Sequence, residues 1–198
     1  MLKMPPPPKI VRQAFNEGLS NFFVVLRSPV KVLWLQAYIL ALEEIPDSKG
    51  TQNAQLIGWK FFAEDADGKL ASGQIATLRN GNVKMRSLSE EPEIADRIRF
   101  LKAVEKIPRS KFPGNRDYEL RLLRIPSALT DLLWLKSPPG QGNGNDAHNL
   151  VIPFHTLVAG LVGPDNVAEV KTWRVNDAFE ELINLASVRL ADDGSSPH

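Results

Sequence analysis

Near the start of the chain, apolar positions recur at three- and four-residue steps: Val11, Phe15, Leu19, Phe22 and Leu26. That spacing stacks side chains on one helical face and predicts a helix over Ile10–Leu26. Ser28-Pro29 follows with a capping hydroxyl and a proline suited to a first helical position. A second helix is therefore expected, ending before Pro46. The run from Val32 to Leu40 leaves this helix almost no polar face, so it should be buried on several sides.

From Ala54 the pattern changes. Leu56–Glu64 is rich in aromatic and branched residues, Asp65-Ala66-Asp67-Gly68 has turn chemistry, and Lys69–Leu78 is a second short apolar run, which together predict a β-hairpin. A second turn at Asn80-Gly81-Asn82 leads to a strand over Val83–Leu88. Acidic and capping residues from Ser89 to Glu93 suit the positive end of a helix dipole. Ile94, Ile98, Leu101 and Val104 then share one helical face, up to Ile107-Pro108. Pro108–Asn115 reads as a loop. Strands are expected over Tyr118–Ile125, Leu132–Lys136 and Leu150–Phe154, with a possible one over Val167–Val175 after a turn at Gly160–Asn166. Asn176 is placed to cap a last helix carrying Phe179, Leu182, Ile183, Ala186 and Leu190. Strands in neighbouring hairpins with helices in separate blocks define an α+β fold on a mainly antiparallel sheet, packed by N-terminal, central and C-terminal helices. The expected organisation is a proline-rich disordered arm over 1–9, one domain over 10–190 and a polar tail over 191–198.

Composition adds exclusions. The 198 residues are 43% hydrophobic and 24% charged, which is ordinary for a globular chain. No cysteine is present, so disulfides, thiolate nucleophiles and Cys-ligated metals are out. Before the prolines Pro5–Pro8 there is no apolar secretory run, and the longest uninterrupted apolar stretch is too short to span a bilayer, which needs about 20 residues. A cytoplasmic protein is expected. Two amphipathic helices with Lys9, Arg12, Arg27 and Lys31 on their polar sides would suit a membrane surface, but core packing explains the same pattern.

Patterns for chemistry fall short one by one. Gly140-Gln141-Gly142-Asn143-Gly144 precedes a strand where a nucleotide site would need a helix, and reads instead as a mobile hairpin loop over Gly140–Asn145. Asp65 and Asp67 begin like a calcium loop, but Lys69 and Ala76 stand where further oxygen ligands belong. The adjacent pairs Glu43-Glu44 and Glu180-Glu181 point about 100° apart on a helix and make no carboxylate dyad. The histidines lack metal-ligand spacing, so no cofactor or metal is expected. His155 alone, at a strand end beside the loop 137–149, could act as a general base oriented by Asp131 or Asp146 in a small hydrolase-like enzyme.

Charge distribution carries more than the net charge of +1. Residues 97–124 hold nine basic groups against three acidic ones, and 165–193 hold seven acidic against three basic. The two regions either steer a partner or face each other across the fold. Aromatic residues are sparse among these basic ones, which disfavours nucleic acid. The leading expectation is a non-catalytic binding or accessory protein for another protein or an anionic ligand. Its candidate contacts are Arg109, Lys111, Arg116, Arg121 and Arg124, together with the loop 137–149; oligomeric state has no signature in the residues.

Overall fold

The structure, a computed structural model, describes residues 2–21, 26, 29, 31–45, 51–78, 80–90, 92–137, 148–156 and 172–193. Its strands are β1 (Leu2–Lys3), β2 (Lys31–Ile39), β3 (Gln55–Glu64), β4 (Leu70–Thr77), β5 (Val83–Ser89), β6 (Tyr118–Ile125), β7 (Thr130–Lys136), β8 (Leu150–Thr156) and β9 (Trp173–Arg174). The helices are α1 (Lys9–Asn21), α2 (Ile94–Glu105) and α3 (Val175–Asp193). The expected α+β architecture is the observed one. Among the described residues nine strands join in one sheet, ordered β5-β4-β3-β2-β6-β7-β8-β9, with β1 beside β6.

All strand pairs are antiparallel except β2 with β6 and β1 with β6. The sheet is therefore two antiparallel meanders, β2 to β5 and β6 to β9, joined along a parallel seam. A parallel pair needs a crossover connection. The segment from β5 through α2 to β6 supplies it.

Strand alternation assigns the helices to faces. Ile94, Ile98, Leu101 and Val104 of α2 pack on Leu35, Ala37, Leu120, Leu122, Leu133 and Leu135. On the opposite face, Val11, Ala14 and Phe15 of α1 meet Trp59, Phe61 and Ile75, and Phe15 sits edge-on to Phe61 at 4.8 Å and to Trp34 at 5.1 Å. The same face receives Ala178, Phe179 and Leu182 of α3 against Leu123, Leu132, Trp134 and Val151.

The second helix expected after Ser28 is corrected: Lys31–Ile39 is a strand, and Leu42–Glu44 a single 3-10 turn. An all-round apolar run suits a sheet-centre strand covered on both faces as well as it suits a buried helix. Val32, Trp34, Tyr38 and Ile39 favour the pleated choice. The paired amphipathic helices of the membrane-surface reading fall with it, because Lys31 opens a strand. Among the described residues no helix is long and apolar enough to cross a membrane. The chain start also differs from a free arm: Leu2 and Lys3 pair with Tyr118 and Glu119, and Leu2 is buried beside α2.

Turn chemistry follows expectation. The Asp65 carboxylate accepts from the amides of Asp67 and Lys69 at 2.9 Å each, so it serves the hairpin turn. Asn80 accepts from the Asn82 amide at 3.0 Å in the next turn. Pro108–Asn115 holds two 3-10 turns, and Asn176 lies inside α3, whose first residue is Val175. The turn at 160–166 and most of the strand expected over 167–175 lie outside the described residues.

At the β2–β3 register shift, Gly58 has φ +144°, and a Cβ there would stand 2.0 Å from the Ile75 carbonyl oxygen. Gly58→Ala is expected to cost about 2–4 kcal/mol, combining backbone strain with overpacking. Urea unfolding measures it; a loss below about 1 kcal/mol would contradict this tight approach.

Candidate functional site

The basic segment is dispersed by the elements it runs through. On α2, the buried stripe turns Arg99 and Lys102 outward, and the C-cap Lys106 continues the same face, since steps of three and four align. Arg99 pairs with Asp96 on the same helix. The turns that follow expose Arg109 and Lys111, and Arg109 meets Asp117 at 3.2 Å. Arg116 is half-buried just before β6. The outer side of α2 and these turns form one cationic arc.

Arg121 and Arg124 leave that arc. Three residues apart on a strand, they project to opposite faces. Arg124 stands opposite Asp131 in register and donates from Nε to its carboxylate at 3.0 Å; its Nη1 approaches Gln74 Oε1 at 3.5 Å. Arg97, Arg99, Arg109, Arg121 and Arg124 of the basic segment pair with Glu93, Asp96, Asp117, Glu119 and Asp131, none of them on the acidic C-terminal helix. The buried stripes of α2 and α3 lie on opposite sheet faces, and Arg109 uses Asp117 rather than Glu180 or Glu181.

Arg121 lies on the face shared by α1 and α3, directly opposite Gln36 on one side and Trp134 on the other. Its guanidinium carbon is 5.1 Å from the Tyr38 ring centroid and 5.5 Å from that of Trp134. Nη1 donates to the Tyr38 hydroxyl at 2.8 Å, and Nη2 donates to Glu119 at 2.6 Å. Lys136 Nζ is 4.8 Å from the Trp134 centroid. Each desolvated cation–aromatic contact contributes about 1–2 kcal/mol. Two donors in this cluster, Arg121 Nε and the Trp134 indole nitrogen, are buried without a partner among the described residues. A buried donor left unmatched costs about 1–3 kcal/mol. Sequence reasoning named Arg121 but missed Tyr38, Trp134 and Lys136, which come from two other strands; only the pairing register could have linked them.

His155 stands opposite Asp131 across β7 and β8, next to a register shift. Asp131 is thus at the strand position expected of its partner, with its carboxylate engaged by Arg124. Asp146 and residues 138–147 of the loop lie outside the described residues. The loop's two ends are tied where Asn149 accepts from the Ser137 amide at 3.0 Å. No family model, curated protein or solved structure matches the chain.

Beside Arg116, Tyr118 is buried against Phe112, and its hydroxyl has no hydrogen-bond partner among the described residues. Burial raises its pKa above the ordinary tyrosine value, with Arg116 opposing in part. A raised folded pKa gives stability that is complete below the unfolded pKa, about 10, and is lost as pH climbs through the folded value. Tyr118→Phe should therefore match or exceed wild-type stability at neutral pH and lose less as the pH rises above about 10. Denaturant titrations at neutral and at alkaline pH test it; a variant with the wild-type alkaline slope would show that Tyr118 does not contribute.

Proposed function

We propose that this chain is a non-catalytic binding or accessory protein of the cytoplasm that receives an acidic protein surface on the cationic arc of α2 and the turns after it. The supporting observation is the amphipathic split of α2. Four of its apolar residues, Ile94, Ile98, Leu101 and Val104, are buried in the core, so Lys102 and the capping Lys106 are held outward, with Lys111 exposed on the following turn. None of these three lysines has an ion-pair partner among the described residues, whereas Arg99 and Arg109 each have one. Solvated amines without a carboxylate partner can exchange water for an anionic surface at little cost in lost pairing, and their field steers encounter. In this reading Arg109 and Arg116 flank the contact, and the loop 137–149 is a second contact candidate.

Replacing Lys102, Lys106 and Lys111 together by Ala should leave stability within about 1 kcal/mol, as surface changes away from caps and cores do. With poly-L-glutamate as the probe, the triple variant should bind about tenfold more weakly than wild type in low salt, and the difference should shrink as salt shortens the screening length. Equal binding by the two proteins in low salt would sink the proposal. Tighter binding of duplex DNA than of poly-L-glutamate would replace the acidic protein with nucleic acid.

A further inference from the structure

Among the described residues β5 is the last strand on its side of the sheet and pairs with β4 alone. In an antiparallel pair, residues that exchange backbone hydrogen bonds alternate with residues that do not. The Leu78 amide donates to the Asn82 carbonyl at 2.7 Å at the start of this pair, and Ala76 stands opposite Lys84 two residues further on. Lys84 therefore bonds to β4, while Val83 and Met85 turn their backbone donors and acceptors to the open side. Such an edge is a template for another strand. α1 packs on the same strand, and the two border a groove of about 830 Å³. Ile10, Ala14 and Gly18 line it from the helix, and Leu78, Val83 and Met85 from the sheet. Helix and strand touch at Gly18, where a Cβ would stand 2.6 Å from Met85. Ile10 is 53% exposed and belongs to no core cluster.

The charge on this groove selects its occupant. Lys84 and Arg86 line it, are exposed, and have no ion-pair partner among the described residues. Glu17, the carboxylate that also lines it, accepts from Gln13 Nε2 at 2.8 Å. Basic residues on an edge ward off unwanted strands. A second copy of β5 is one of these, because an antiparallel pairing centred on Met85 sets Lys84 against Arg86, and like charges directly opposite destabilise. Acidic side chains turn the same two residues into partners. The register shift that leaves Arg86 with no opposite residue on β4 bends the strand there, so the straight part of the edge is short. We propose that the edge of β5 and the groove under α1 receive a short, extended, acidic peptide segment as an added strand. Its backbone pairs with Val83 and Met85, alternate apolar side chains enter the groove, and its carboxylates meet Lys84 and Arg86. α1 and α2 pack on opposite faces of the sheet, and the residues differ from those of the α2 arc, so neither proposal depends on the other.

The test is amide NMR on the full chain, with a terminally blocked heptapeptide of alternating glutamate and valine as the probe. In the free protein the Val83 and Met85 amides should exchange with solvent faster than that of Lys84. On titration, both should shift saturably and become protected. A heptapeptide with lysine in place of glutamate should bind at least about tenfold more weakly in low salt, and the gap should narrow as salt shortens the screening length. Lys84→Gln with Arg86→Gln, two exposed positions outside the core, should weaken the glutamate peptide by about tenfold under the same conditions. N-methylation of the peptide separates strand addition from charge attraction alone. Methyl groups on every valine nitrogen and on every glutamate nitrogen block opposite edges of an extended peptide, so one set should abolish binding and the other be tolerated. Equal binding by the two methylated peptides, or a lysine peptide as tight as the glutamate one, would overturn the proposal. So would protection of the Val83 and Met85 amides in the free protein, which would show the edge already covered by the chain itself or by a second copy.

Discussion

The parallel pairing of β2 with β6 is the constraint on which the rest of this architecture depends. It spans Gln36–Ile39 against Arg121–Arg124 and is extended by the Leu40 amide donating to the Arg124 carbonyl at 3.0 Å. Without it the chain would be two separate meanders, each with a raw edge of unpaired amides and carbonyls. With it, β2 becomes a central strand covered on both faces. Leu35 and Ala37 enter the core under α2, while Trp34 and Tyr38 point to the face of α1 and α3. β1 continues the same edge of β6 at Tyr118 and Glu119, so the first residues of the chain complete what β2 leaves open.

The seam also explains why the polar cluster around Arg121 lies where it does. α1 is packed over the β2–β5 meander and α3 over the β6–β9 meander. A helix covers roughly the width its side chains reach, about 10 Å with its neighbour. The join between the two meanders is the strip that neither helix covers. Arg121 sits on the seam itself, and its contacts with Tyr38 on β2 and Trp134 on β7 tie the strands on both sides of it. Charge is thus sorted by structure: Arg99, Lys102 and Lys106 are exposed on the outer side of α2 and its cap, while Arg121 and Arg124 on β6 are drawn into specific pairs.

Much of the fold was legible in the residues, where one element's pattern could be read without its neighbours. The strands at Tyr118–Ile125 and Leu132–Lys136 alternate or run apolar between clear turns, and α2 has a four-member apolar stripe. The exception was β2. A continuous apolar run is satisfied by burial on all sides, and whether the burying partners are helices or strands is not encoded within the run. The free arm expected at the N-terminus failed for a related reason, since four prolines announce an extended chain but not the strand that receives Leu2.

The sequence by itself determined the α+β class, the hairpin turns held by Asp65 and Asn80, and the apolar stripe of α2, because each follows from local periodicity or a side chain bonding its own backbone. Tertiary structure alone decided that Arg121 and Arg124 part to opposite faces with different partners. It also decided that Asp131 meets Arg124 as well as the position of His155, and that Tyr38, Arg121, Trp134 and Lys136 converge. These depend on strand order and register, and a register shifted by one residue would send each of these side chains to the other face of the sheet.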